Sequence, residues 1–156
     1  MINEKDTTEC GFVEIILGDD VILSKKNRIV ASSRSIKASM AIGGPSSDYI
    51  RTVSLGNTGS TPPPTVLDSD TSIFNPIIDI QVSTQSEPRP FITSDPSLSV
   101  RNTIVTWTAV APVNISIEFD EAGLFSNRGF MFSRVTFPKI SKPNNIAMAI
   151  RWRIQF

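Results

Sequence analysis

The chain has 156 residues, and its 15 Lys and Arg residues balance its 15 Asp and Glu residues, so the formal net charge is zero. A chain of this length can bury a hydrophobic core without disulfides or metals. Zero net charge is unusual for a protein that binds phosphates, because such binding favours a basic surface. It also leaves association between copies electrostatically unopposed. We therefore expect no nucleic-acid partner.

The N-terminal residues and the single cysteine exclude further classes. The start, Met1-Ile2-Asn3-Glu4-Lys5-Asp6, lacks the apolar stretch of a signal peptide. No apolar run approaches the roughly 20 residues that span a bilayer. Cys10 has no second cysteine with which to form a disulfide or a metal-binding pair, and we expect it to be a partly buried apolar side chain. We expect a protein made in a cytoplasm, with no membrane partner.

Residues 1–22 are predicted to form an N-terminal arm or a pair of short strands. Short apolar runs at Phe12-Val13 and Ile15-Ile16-Leu17 are followed by Gly18-Asp19-Asp20, which is typical of a turn.

A short helix is predicted near residues 32–42. Ile29, Ile36 and Met40 have the spacing of residues on one helix face. Ser32 or Ser33 is the expected N-cap, and Gly43-Gly44-Pro45 is the expected end.

The middle of the chain alternates predicted strands with loops. Tyr49 to Leu55 is predicted to be a strand, and Gly56 to Pro64 an exposed loop because three prolines lack amide donors. A further strand is expected around Ile77 to Val82. The polar, proline-containing segment of residues 83–99 is predicted to be a long loop.

The last third has the strongest strand pattern. Strands are predicted at residues 103–110, 115–120 and 130–137, and the last at Ile146 to Phe156. That last strand places apolar residues at six alternating positions, which fixes which face lies on the core. We therefore predict a mainly β protein in one domain of residues 1–156: an antiparallel β-sandwich or barrel with one short helix.

The sequence contains no histidine, which removes the commonest general base and the usual catalytic triads. Two carboxylate clusters are candidate sites. Asp68 and Asp70 are predicted to lie in a solvated turn rather than in a metal site, since no further ligands follow at calcium-loop spacing. Asp120 and Glu121 are disfavoured as a glycosidase pair, because adjacent strand residues point to opposite faces. We expect no catalytic, cofactor-binding or metal-binding residue.

Aromatic and basic residues interleave at Phe130, Phe132 and Arg134 and again around Trp152, a mixture that nucleic-acid-binding proteins use. Trp152 lies on the apolar face of its strand, so we expect it in the core. The flanking Arg151 and Arg153 are expected to pair with Glu118 or Asp120 across strands.

The order of four segments resembles that of small structural proteins of tailed bacteriophages. The first segment precedes the predicted helix, and the second is a strand and its glycine- and proline-rich loop. The third is a Gly-Leu-Phe block, in which Gly123 is expected to form a turn after a strand end, with its following strand. The fourth ends the chain. These segments are Leu23 to Val30, Asp48 to Pro63, Glu121 to Lys142, and Trp152 to Phe156. Residues 83–99 have no counterpart in this order.

The resemblance implies a β-sandwich-like virion component of the neck, tail or baseplate. It would assemble as several copies through protein–protein contacts, with other phage structural proteins as partners. Two alternatives stay open, a receptor- or glycan-binding appendage and a capsid decoration protein. An enzyme is the class that the sequence supports least.

Overall fold

The computed structural model describes residues 10–44, 47–85 and 104–155. These residues form eight strands and one helix. In chain order they are β1 (Cys10–Leu17), β2 (Asp20–Ile29), α1 (Ser33–Ile42), β3 (Ile50–Gly56), β4 (Pro76–Gln85), β5 (Ile104–Ala111), β6 (Ile117–Ser126), β7 (Met131–Lys142) and β8 (Met148–Gln155). The prediction of a mainly β fold with one short helix is confirmed.

The strands close into an antiparallel barrel in the order β1-β2-β7-β6-β3-β4-β5-β8. Consecutive strands β3, β4 and β5 are neighbours, and β6 returns to pair with β3 on its free side. This 6-3-4-5 order is a Greek key. Of the two predicted architectures, the closed barrel is therefore the observed one.

The barrel has two walls, because its ladders fall into two sheets that share β2 and β4. One wall is β2-β1-β8-β5-β4 and the other is β2-β7-β6-β3-β4. The ladder between β2 and β7 contains only two residue pairs, Arg28 with Arg134 and Ile29 with Ser133. The two strands therefore part along the rest of their length.

The core fills the space between the walls. Its largest buried side chains include Trp107, Trp152, Phe119 and Phe137. The rings of Phe119 and Phe137 meet edge to face, with centroids 5.7 Å apart. Full burial of a large apolar side chain contributes roughly 1.5–3 kcal/mol, so this aromatic group is a main source of stability.

The last strand is shorter than predicted. Met148, Ile150, Trp152 and Ile154 point into the core as expected. Ile146 instead lies in the preceding turn and is exposed, and Phe156 lies outside the described residues.

The helix was predicted correctly, but part of the reasoning for it was wrong. Ile36 is fully buried, whereas Met40 is exposed and Ile29 belongs to β2. Ser32 occupies the N-cap without a side-chain capping bond, and its hydroxyl donates instead to the Met131 carbonyl. Gly43 ends the helix at φ +72°, a conformation that favours glycine.

Several other boundaries also differ from the prediction. β2 extends to Ile29, well beyond the short strand expected there. Residues 83–85 of the predicted 83–99 loop belong to β4, and residues 86–99 lie outside the described part of the chain. β6 begins at Ile117 and continues to Ser126, so Gly123 lies within a strand rather than in a turn. Paired neighbours on both sides explain this, because β3 and β7 hold β6 through Gly123.

Candidate functional site

The segment between β3 and β4, residues 57–75, lies over the outer face of β6 and β7, and we call it the covering loop. Its Val66 and Ile73 pack with Val30 and Met131 in a small apolar cluster separate from the barrel core. Four apolar side chains are a small cluster for a segment of this length. Polar contacts therefore provide much of its attachment.

Glu121 on β6 is the main anchor of the covering loop. Its fully buried carboxylate accepts hydrogen bonds from the backbone N–H of Phe74 (3.0 Å to Oε2) and of Asn75 (2.9 Å to Oε1). Gly56 allows this close approach, because a Cβ there would lie 2.5 Å from Glu121 Oε1. A charged acceptor with two backbone donors makes strong, directional bonds.

Arg134 on β7 joins that anchor to a second acid. Its Nη2 donates to Glu121 Oε2 over 2.6 Å, and its Nη1 donates to Asp70 Oδ2 over 2.7 Å. Asp70 also accepts from the Leu67 N–H. Burial lowers the pKa of Arg134, but the hydrogen bonds to Glu121 and Asp70 outweigh it and raise the pKa overall. The guanidinium thus stays charged and bridges the wall to the loop.

Asp120 fixes the start of the covering loop. Its two carboxylate oxygens accept from the Thr58 N–H (2.7 Å) and the Thr58 hydroxyl (2.8 Å), and both residues are buried. The β6–β7 register shifts between Phe119 and Glu121, which is why Asp120 and Glu121 both engage the loop. The expectation that these adjacent carboxylates point to opposite faces was wrong. The predicted loop of residues 56–64 is exposed over most of its length, but its Thr58 is buried.

Beside these contacts lies a groove of about 470 Å³. It occupies the place where β2 and β7 part, and the covering loop forms its third side. Its lining is partly basic and partly apolar, and includes Lys26, Arg28, Pro63, Val66, Thr136 and Phe137. Lys25 spans the gap, since its Nζ donates to the Thr136 carbonyl over 2.6 Å. We take this groove as the candidate functional site.

Three of the four segments that carry the bacteriophage resemblance meet in this groove. They contribute Lys25 to Arg28, Pro62-Pro63, and Arg134 to Pro138. These residues are far apart in the sequence and are brought together by the barrel closure between β2 and β7. Residues 152–155 of the fourth segment lie in the opposite wall as part of β8.

Arg28, which lines the groove, forms an ion pair of 2.6 Å with Asp68. The hydrogen bond between them lowers the pKa of Asp68 and raises that of Arg28. The Arg28 side chain is 50% exposed and that of Asp68 is 67% exposed, so the ion pair adds little to stability. Its effect is to hold the Arg28 side chain, which also reaches the Val66 carbonyl, in one place.

The carboxylates considered as catalytic or metal sites serve as anchors. Asp68 lies in a turn as predicted, but it pairs with Arg28, and Asp70 pairs with Arg134. Within the described residues, no group of three or more acidic or cysteine side chains is placed to hold a metal ion. Asp120 and Glu121 are both occupied by donors from the covering loop. Sequence reasoning missed this network, although it had singled out five of its members for other reasons, namely Asp68, Asp70, Asp120, Glu121 and Arg134.

The interleaved aromatic and basic residues serve different roles. Trp152 is buried in the core as expected, and so is Phe132. Arg153 pairs with Glu14 of β1 over 2.8 Å, so the predicted pairing with Glu118 or Asp120 was wrong. Phe130 is exposed, with the guanidinium of Arg128 5.5 Å from its ring centroid. These side chains do not form one stacking surface for nucleic acid.

The Gly-Leu-Phe block has a packing role that was not foreseen. A Cβ at Gly123 would lie 2.6 Å from the Phe125 ring and 2.9 Å from Ile73 Cγ2. The glycine therefore makes room for Phe125 and the covering loop against the strand, instead of forming a turn.

Comparisons of the chain with protein-family models, with curated proteins and with solved structures found no match. Among the described residues, no helix has the length and apolar character that crossing a membrane requires.

Proposed function

We infer that this chain is a structural component of a tailed-phage particle, in its neck, tail or baseplate, and that it acts by binding other protein subunits in several copies. The observation that carries this proposal is the groove where three resemblance segments meet. These segments are far apart in the sequence, yet residues from all three line one groove. The virion is the corresponding location, and other phage structural proteins are the corresponding partners.

The ionic contacts support a positioning role. Glu121 and Asp120 accept hydrogen bonds from the covering loop, and Asp70 of the loop accepts one from Arg134 of the barrel. An acid committed to such bonds is poorly placed to transfer protons to a substrate. This network holds a long loop against the barrel. Such a loop suits a docking surface, because a partner that binds it loses little free energy in ordering the loop.

The direct test is to locate the chain in particles. Purified virions of the phage that encodes it are analysed by mass spectrometry, with a non-structural protein of the same phage as the negative control. We expect several copies per particle, and electron microscopy should place the barrel in the neck, tail or baseplate. Absence of the chain from gradient-purified particles would sink the proposal.

The groove itself is tested with a matched pair of substitutions. Thr65→Trp fills the groove, whereas Ser60→Trp adds the same side chain at an exposed loop position outside it. We expect the first variant to fold but to be lost from particles, and the second to be incorporated normally. Equal incorporation of both variants would show that the groove is not a contact in the particle.

A receptor- or glycan-binding appendage is the second candidate. A recess of about 510 Å³ on the outer face of β3 and β4 is lined by Arg51, Asp79, Gln81 and Phe125, among others. Such a mixture of polar groups and one aromatic ring suits a sugar. Both tryptophans are buried, which counts against it. Saturable binding on a glycan array, lost in Gln81→Ala, would favour this candidate.

A capsid decoration protein is distinguished by the position of its density on the particle.

A further inference from the structure

The gap between β2 and β7 leaves backbone groups of both strands without a partner strand. The Val30 N–H donates to the Phe132 carbonyl over 3.1 Å, and the ladder beside this bond contains two residue pairs. Hydrogen-bonded positions recur at every second residue of an antiparallel pair. The backbone N–H and C=O groups of Lys26 and Thr136, four residues further along their strands, therefore point into the gap, which the ladder does not reach. We call these two unpaired edges the open seam.

Two side chains protect the open seam in the free protein. Lys25 Nζ donates to the Thr136 carbonyl over 2.6 Å, in the place that the N–H of an adjoining strand would take. Pro138, further along β7, has no N–H to offer. Lysine and proline at an edge disfavour the addition of another strand, and the lysine does so because its charge would be covered without a partner. A strand that brings a carboxylate to this lysine removes that cost.

The charges of the groove favour the same kind of strand. The 13 described residues that line the groove include four basic and no acidic side chains. Its two arginines are neutralised by their ion pairs with carboxylates. Lys25 bonds a neutral carbonyl, and Lys26 has no hydrogen bond or ion pair of its side chain among the described residues. Glu14, the one acidic residue of the adjoining strand β1, pairs with Arg153 over 2.8 Å. The two lysines are thus positive charges that the described part of the chain leaves uncompensated.

The groove also has apolar walls and the volume for a short peptide segment. Pro63 and Val66 of the covering loop face the groove from one side, and Phe137 of β7 lines it from another. Its volume of about 470 Å³ is that of an ordinary ligand pocket, which holds a few residues in an extended conformation.

We propose that the groove binds an extended acidic segment of a different structural protein of the particle. The segment adds as a strand at the open seam, where its backbone meets Lys26 and Thr136, and its carboxylates pair with Lys25 and Lys26. In this mode of binding, main-chain hydrogen bonds provide affinity and side chains provide specificity. The described strands of this chain are all built into the barrel, so another protein supplies the segment. This inference rests on the proposed function and names the kind of partner that the groove takes.

Crosslinking in purified virions tests the acidic partner. A carbodiimide joins a lysine amine directly to a carboxylate that touches it, and mass spectrometry identifies the joined peptides. We expect Lys25 or Lys26 to be joined to Asp or Glu residues within one short segment of another structural protein. Links to carboxylates of this chain alone would overturn the proposal. So would the absence of any link at both lysines, which is the result expected if the groove holds DNA instead.

Charge variants test whether the lysine contact matters for assembly. We expect Lys26→Glu to reduce the copies per particle at least about tenfold, because like charges then face each other. Lys26→Arg keeps the charge and should be incorporated normally. Arg151→Glu makes the same change in net charge at an exposed position of the opposite wall and is the control. Circular dichroism establishes that each variant folds. Equal losses in Lys26→Glu and Arg151→Glu would contradict a specific contact in the groove.

Hydrogen exchange tests the added strand. The amides of Lys26 and Thr136 should exchange at least about tenfold more slowly in virions than in the isolated chain, because the added strand accepts them. Unchanged exchange at both amides would overturn strand addition. These outcomes are separate from the particle test. A chain found in virions without these links and this protection refutes the inference and leaves the proposed function standing, whereas absence from virions refutes the proposed function itself.

Discussion

Arg134 and Glu121 form an ion pair of 2.6 Å in which the two side chains are only 6% and 0% exposed. They lie on neighbouring strands of the wall beneath the covering loop, and Glu121 also binds that loop through the Phe74 and Asn75 amides. Removing both charges from water is costly, so each depends on the other for compensation. The attachment of the covering loop therefore depends on this pair.

Removing one member of the pair should destabilise the protein strongly. We expect Arg134→Met to lower the free energy of unfolding by about 3–5 kcal/mol, because Glu121 is left as a buried, uncompensated charge. Urea denaturation followed by circular dichroism measures the change. Adding Glu121→Leu should recover part of the loss, since the fully buried carboxylate is then gone and only Asp70, whose side chain is 18% exposed, keeps an unpaired charge. A single variant within about 1 kcal/mol of wild type would show that the pair is not critical.

Asp48 should make stability depend on pH. The hydrogen bond from Arg128, 2.9 Å at Nη2, holds the pKa of Asp48 below its ordinary value. Because the folded-state pKa is below the unfolded one, the contribution is present above the unfolded pKa of about 4 and is lost as pH falls through the folded value. The melting temperature of Asp48→Asn should therefore lie below that of wild type at pH 7, and the two should converge in acid. A constant gap from pH 7 to pH 2 contradicts this.

Gly123→Ala should destabilise through packing, because the new Cβ meets the Phe125 ring and Ile73. We expect a loss of about 1–3 kcal/mol in the free energy of unfolding, as for other overpacked sites. Phe125→Leu in the same chain removes the ring and should restore part of the stability. Thermal unfolding of the two single variants and the double variant gives the coupling energy between positions 123 and 125. If the losses in stability are additive, the Phe125 ring is not what the new Cβ meets.

Ile154 and Ile104 lie on neighbouring strands with opposite exposure, which allows a matched comparison. Ile154 is fully buried, whereas Ile104 is 48% exposed. Ile154→Ala should cost about 2–5 kcal/mol, and Ile104→Ala much less, because only the first leaves a cavity in the core. The denaturant midpoints of the two variants and of wild type provide the measurement, provided that the dependence of unfolding free energy on denaturant concentration is the same in all three. Similar losses at both positions would contradict the assignment of β8 as a core strand.

Local patterns in the sequence were enough to identify the fold class. Alternation in β5 and β8 marked the buried Val105, Trp107, Ile150 and Trp152, because a strand with one face in water must alternate. Gly43, which follows the helix, marked the helix end. Boundaries were less accurate at β6, where Gly123 resembled a turn, since pairing with strands distant in sequence overrides a local preference.

The anchor network and the groove were decided by the tertiary structure. Arg28, Asp70, Glu121 and Arg134 come from four separate segments, and nothing in their spacing shows that barrel closure brings them together. The register shift at Asp120 likewise depends on the partner strand. The sequence by itself determined which side chains are apolar, alternating or charged, because these are local properties. Only the closed barrel decided which charges meet under the covering loop and which apolar side chains remain outside, because those depend on contacts between residues far apart in the chain.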